Sequence, residues 1–160
     1  MPGTRGAVSA GLLLFRRRDG RLELLLAHPG GPFWRHRDDG AWTIPKGVPE
    51  SDEPLLEAAR REFAEETGTR PEGAALPLGS IRQKAGKTVH AWAVEGDLDA
   101  SRIVSNTMRV EWPPRSGRWK EIPEVDRCAW LDPDTARRKL NPAQAAFVDR
   151  LLESLAATAP

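Results

Sequence analysis

Three glutamates, Glu62, Glu65 and Glu66, stand three and four residues apart within the stretch Gly47 to Thr69. At helical spacing their carboxylates gather on one side of a single turn. Like charges so placed destabilise a helix by about 0.2–0.5 kcal/mol per pair. Acids near a helix C-terminus also oppose the macrodipole. A hard divalent cation prefers oxygen ligands and would offset both penalties. Held between carboxylates and an anionic substrate, such a cation lowers the pKa of bound water and aligns it for in-line attack. A plain solvated acidic face is the competing reading of an isolated E-x-x-E-E run.

The helix that must carry these acids is bounded by Ser51-Asp52-Glu53-Pro54 at its start and by Gly68 at its stop, with Leu56, Ala59 and Phe63 as its apolar stripe. The wider string is more specific than the acids alone. Gly47, Glu53, Arg61, Glu62, Phe63, Glu65, Glu66 and Gly68 fall in register with G-x5-E-x7-R-E-U-x-E-E-x-G-U, where U is apolar, and only Thr69 departs from it. The chain thereby resembles the Nudix hydrolase family. The resemblance implies an α+β fold, the Nudix α/β/α sandwich with a mixed central sheet. It also implies hydrolysis of a nucleoside diphosphate linked to a further group, with Mg2+ or, alternatively, Mn2+ as cofactor. Carried over position by position, Glu62 and Glu66 are the main metal ligands, Glu65 assists, and the Gly47 carbonyl is a further ligand. Arg61 is a structural partner of the box carboxylates, including Glu53. Family members commonly add a glutamate from outside the box as base or ligand. Here Glu124 is preferred, with Glu121 and Glu111 as alternatives.

For the substrate, Lys46 immediately precedes the box glycine and is placed to meet a phosphate. Pro45-Lys46-Gly47 resembles the entry seen in dinucleoside polyphosphate hydrolases. That branch stacks adenine on a tyrosine, and this chain has none, so a tryptophan such as Trp34, Trp42, Trp92 or Trp112 would have to substitute. His28 to Gly40 reads as a long loop in which Phe33 and Trp34 precede Arg35, His36 and Arg37. Aromatics beside cations can stack on a base and contact phosphate, or they can cap the sheet edge. Lys84 and Lys87 reach substrate phosphate or are ordinary hairpin lysines. The stretches from His28 through Gly47 and from Glu111 to Leu140 resemble a group of small bacterial NTP pyrophosphohydrolases. Nucleoside triphosphates and dinucleoside polyphosphates therefore lead. An ADP-ribose or nucleotide-sugar pyrophosphatase and a non-catalytic nucleotide sensor are the alternatives.

The remaining sequence bounds the setting. The 160 residues suit one Nudix domain spanning 1–160. A formal net charge of +1 gives no overall field for nucleic acid, and no apolar run is long enough to span a bilayer. The lone Cys128 excludes an intrachain disulfide and fits a reducing, cytoplasmic location; in a strand it reads as a buried small hydrophobe. The partner is a small-molecule nucleotide, acted on by a monomer or homodimer. Along the chain we expect a hairpin of strands Ala7–Phe15 and Leu22–Ala27, with Arg16 to Arg18 at its solvated end. A short strand at Ala41–Ile44 leads into the box, and a second hairpin turns at Ala85-Gly86. A strand over Arg102–Trp112 is followed by a connector from Trp119 to Val125 and a strand around Cys128. A short helix then runs to Leu140, and a last one, capped by Asn141-Pro142, to about Ala156.

Overall fold

The computed structural model describes residues 7–158. Strand β1 (Val8–Arg18) and strand β2 (Arg21–Pro29) form the first hairpin, antiparallel about Asp19-Gly20. Leu12 to Phe15 and Leu24 to Ala27 are buried on both faces of the sheet, as expected of continuous apolar runs covered on both sides. Pairing continues through the arginines to the turn, where Arg17 and Arg18 are exposed as expected of a solvated hairpin end. Arg16 lies opposite Glu23 and its Nε donates to the Glu23 carboxylate at 2.8 Å, so the charged registers support the strands.

After β2 the chain crosses a loop, and Trp42 and Thr43 make only isolated bridges, to Leu140 and Ala27, rather than the expected strand. The two-residue β3 (Lys46–Gly47) pairs with Gly11 and Ala10 of β1. Helix α1 (Leu55–Thr67) ends where Gly68 takes a left-handed conformation and returns its N–H to the Ala64 carbonyl at 2.8 Å. Its buried face is Ala58, Ala59, Phe63, Glu62 and Glu66. Leu56 is only half-buried, since the helix rests on β1 through the two alanines, whose small side chains permit close approach.

Strands β4 (Ala75–Arg82) and β5 (Thr88–Glu95) form the second hairpin, joined by a 3-10 turn at Lys84–Gly86. β4 begins before Pro77, and its register shifts between Pro77 and Gly79; such a bulge accommodates a proline in a strand. β6 (Thr107–Glu111) and β7 (Trp119–Pro123) make a separate two-stranded ribbon. The expected connector is thus largely a strand, turning at Pro113–Gly117. β8 (Val125–Leu131) leads to α2 (Pro133–Lys139), capped by Asp132, whose side chain accepts from the Thr135 N–H. A 3-10 turn at Pro142–Gln144 precedes α3 (Ala145–Thr158).

The main sheet runs β4-β5-β1-β2-β8 with β3 attached to β1. The β1–β5 pair is parallel and the others antiparallel, so the sheet is mixed. Ala10, Leu12 and Leu14 pack with Ala58, Ala59 and Phe63 on one face, and Leu13 and Phe15 pack with Ala136, Leu140, Phe147 and Leu151 on the other. The outcome is the α/β/α sandwich expected from the sequence. No helix among the described residues is long and apolar enough to cross a membrane.

Candidate active site

The end of the sheet where β1 begins opens into a cavity of about 510 Å3, lined in part by Ser9, Trp34, Lys46, Gly47, Glu66 and Glu124. That volume is in the range of small-molecule sites. It unites residues from β1, the loop after β2, β3, α1 and the β7–β8 junction.

Glu66 is the most buried acid of the cavity. Its residue is 5% exposed, and Oε2 accepts the Lys46 backbone N–H at 3.2 Å. Burial pushes its carboxyl up to about 8, Glu124 and Glu62 push the same way, and Lys46 opposes them. Glu62, 8% exposed, is also raised, by burial and then by Glu65, against the pull of Arg61. Helical spacing explains the pair: Glu62 and Glu66 are one turn apart on the face turned toward β3. Gly47 makes this approach feasible, because a Cβ there would land on the Glu62 carboxyl group. Glu65 is more open and is held by Arg61.

Arg61 organises the outer side of the cluster. Nε and Nη2 donate to the two Glu53 oxygens at 2.8 and 2.9 Å, while Nη1 donates to Glu62 at 3.0 Å and Glu65 at 3.1 Å. Nη2 also reaches the Val48 carbonyl at 3.2 Å. The Arg61 guanidinium, with help from the Glu50 N–H, holds the Glu53 carboxyl down to about 2. Glu53 and Arg61 thus brace the box loop on the helix, outside the cavity lining.

Of the three glutamates weighed outside the box, only Glu124 lines the cavity. Glu121 accepts from the Thr107 hydroxyl at 2.8 Å, and Glu111 receives the Arg115 and Gly117 N–H groups at the tip of the ribbon. The Glu124 peptide is fixed on both sides: its N–H donates to the Asn106 carbonyl and its carbonyl accepts from Gly30, each at 2.9 Å. Asn106 in turn donates to the Glu65 carbonyl at 2.7 Å, linking Glu124 to the last turn of α1.

Two substrate expectations are corrected. Trp42 is 6% exposed, its Nε1 donates to Asp38 at 2.8 Å, and its ring meets His28 edge to face; it is a core residue with no face free for a base. Lys84 is exposed on the β4–β5 turn and does not line the cavity, whereas Lys87 does. The turn directs the second lysine, not the first, inward. Trp34 does line the cavity, edge to face with Phe33, and Arg37 covers the Phe33 ring at 4.2 Å.

Several contributors carried no sequence signal. Gln144 is buried, accepts the Ile44 N–H at 2.9 Å and donates to Gln83 at 2.8 Å. His28, fully buried at the end of β2, places Nδ1 2.9 Å from Asp126 and Nε2 2.6 Å from the Arg37 carbonyl. The β2–β8 register passes from His28↔Arg127 to Pro29↔Val125, so Asp126 is the extra residue of a bulge, aimed at His28. The Gly- and Pro-rich run after His28 marks the loop but not this contact. Cys128 is buried and pushed up to about 12 by burial, Glu66 and Asp126 adding to the shift; it is inert as a nucleophile.

The site fits a divalent cation by its donor chemistry: hard carboxylate oxygens, two of them buried, beside a backbone that only glycine allows so close. Among the described residues no three acid, histidine or cysteine side chains are drawn together as a ready-made metal cluster. An open donor set suits an ion that keeps waters and takes substrate phosphate oxygens.

Comparison with known proteins agrees with this architecture. The C. elegans Ap4A hydrolase binary complex superposes with a TM-score of 0.68 at 21% identity, covering 94% of this chain and 98% of that one. The NUDIX domain of Shewanella oneidensis NrtR, complexed with ADP ribose, gives 0.66 at 17% identity, covering 95% and 90%. A MutT protein from Methanosarcina mazei gives 0.61 at 20% identity, covering 97% and 99%. No curated protein matches in sequence. The model of the NUDIX domain matches residues 6–151, and the chain belongs to that family.

Proposed function

We propose that this Nudix pyrophosphohydrolase cleaves a phosphoanhydride bond in a nucleotide polyphosphate, either a nucleoside triphosphate or a dinucleoside polyphosphate. The observation that carries this reading is the meeting of Glu66 and Glu124 with Lys46 and Lys87 in one cavity. Carboxylates alone would repel a polyphosphate; lysines on the same wall attract it.

Glu62, Glu66 and Glu124 would hold Mg2+, or Mn2+ as the alternative, with Glu65 and the Gly47 carbonyl completing the set. When bound, the ion neutralises phosphate charge and lowers the pKa of water. The chain does the rest. Lys46 and Lys87 fix the phosphates, and Trp34 offers a ring face to the base at the cavity mouth. Arg61 keeps Glu62 and Glu65 in place through its bonds to both. A carboxylate of the cluster takes the proton as the water oxygen bonds to phosphorus and the bridging P–O bond breaks. Two arms of the nucleotide, base and phosphate, are thus met by different elements.

The test is product release with Mg2+ and with Mn2+ across nucleoside triphosphates, dinucleoside polyphosphates, ADP-ribose and nucleotide sugars, with Glu66→Gln as control. We expect turnover on the first two classes. In Glu66→Gln the rate falls by several powers of ten while the fold is kept, since a neutral amide of the same shape replaces a carboxyl that burial already keeps protonated in the metal-free chain. Near-normal activity in that variant would contradict the metal role, and turnover confined to ADP-ribose would reassign the substrate.

A further inference from the structure

Ser9 is 1% exposed, and among the described residues its hydroxyl is the single buried side-chain nitrogen or oxygen with no hydrogen-bond partner. Leaving a hydroxyl buried and unpaired costs about 1–3 kcal/mol, and such groups call for an explanation. A strand interior tolerates alanine or valine at such a place at no such cost. Ser9 also lines the cavity.

Its neighbours define what the hydroxyl faces. Ser9, Gly11 and Leu13 alternate onto one face of β1. A Cβ at Gly11 would sit 3.0 Å from Lys46 Cβ, so the Lys46 stem lies across Gly11 on that face, next to Ser9. Ser9 is paired in register with Val89 of β5, and Lys87, two residues before Val89, also lines the cavity. Two lysines on the wall of one cavity suit an anion with several oxygens.

We propose that Ser9 is a substrate-binding residue whose hydroxyl donates to a phosphate oxygen, forming with Lys46 and Lys87 a three-donor subsite for the polyphosphate chain. The proposal rests on the nucleotide polyphosphate reading above and adds the residue that recognises its anionic part. The hydroxyl gains its missing partner only when the anion is present, so its burial cost is recovered on binding rather than on folding.

The two states make opposite demands of Ser9→Ala, which separates a ligand role from a structural one. Inorganic pyrophosphate is titrated into the full chain with Mg2+, and the melting temperature of the free protein is recorded alongside. We expect pyrophosphate affinity to fall about tenfold while the melting temperature stays level or rises. Ser9→Cys, a near-isosteric weak donor, falls between. Unchanged affinity, a lowered melting temperature without loss of affinity, or no pyrophosphate binding by the unsubstituted chain would each overturn the assignment. A tenfold loss in a chain silent across the substrate panel would keep Ser9 in its role and reject hydrolysis. Turnover in the panel with equal pyrophosphate affinity in both chains would do the reverse.

Discussion

At the residue scale, Glu66 ties chemistry to stability. Its carboxyl sits near 8 in the folded chain, against an ordinary value of 4.5, because burial disfavours the charged form. Between those values the folded state keeps a proton that the unfolded chain has released, so the stability of the metal-free protein falls as pH rises through that window. The slope reaches at most about 1.4 kcal/mol per pH unit for one group. A divalent cation reverses the preference by favouring the carboxylate. The expected outcome is a melting temperature that declines from pH 5 to pH 8 in chelator and a larger Mg2+-induced rise at pH 8 than at pH 5.5. In Glu66→Gln both trends flatten. Thermal melts across pH, with chelator and with Mg2+, measure this directly, and a Mg2+ effect independent of pH would remove Glu66 from the ligand set.

At the element scale, the segment after β2 and the junction between β7 and β8 act as one unit. Gly30 binds the Glu124 carbonyl, and a Cβ at Gly30 would run into the Pro123 carbonyl oxygen. Two residues away, His28 holds both Asp126 and the Arg37 carbonyl. The loop that carries Trp34 is therefore anchored to the junction that presents Glu124. Gly30→Ala should push that junction away from α1 and lower kcat by at least tenfold, with KM changed by less than threefold. Steady-state kinetics on the substrate found above distinguishes this from general unfolding, which lowers the amount of active enzyme without such a split. The glycines and prolines of the His28–Gly40 stretch marked a loop, although β2 continues through His28 and Pro29 before it begins. The sequence could not show what the loop leans on, because the partner lies about a hundred residues further along the chain.

At the scale of the whole molecule, the cavity is assembled by elements that the core holds at one end of the sheet. Gln144, at the entry to α3, joins Ile44 before the box to Gln83 at the end of β4. Gln144→Ala would leave the buried Ile44 N–H without its acceptor, a loss of about 1–3 kcal/mol. Denaturant unfolding should show that loss in the midpoint with an unchanged slope. A change within experimental error would mean that another acceptor reaches Ile44.

What the sequence by itself determined is the box. Glycine at 47, Arg61 and the acids from Glu53 to Glu66 lie on one turn-helix unit, and within a helix geometry follows from spacing alone. The same locality made α1, its Gly68 stop and both sheet hairpins readable, while the α/β/α class came from the family resemblance that the box carries. Tertiary structure alone decided which of several equivalent residues reach the cavity: Glu124 and not Glu121 or Glu111, Lys87 and not Lys84, Trp34 and not Trp42, and the unpaired Ser9 hydroxyl. Those choices depend on strand register, a bulge at Asp126 and the inward direction of a turn. Each is set by packing between distant segments, which moves a side chain from one face to the other with a shift of a single residue.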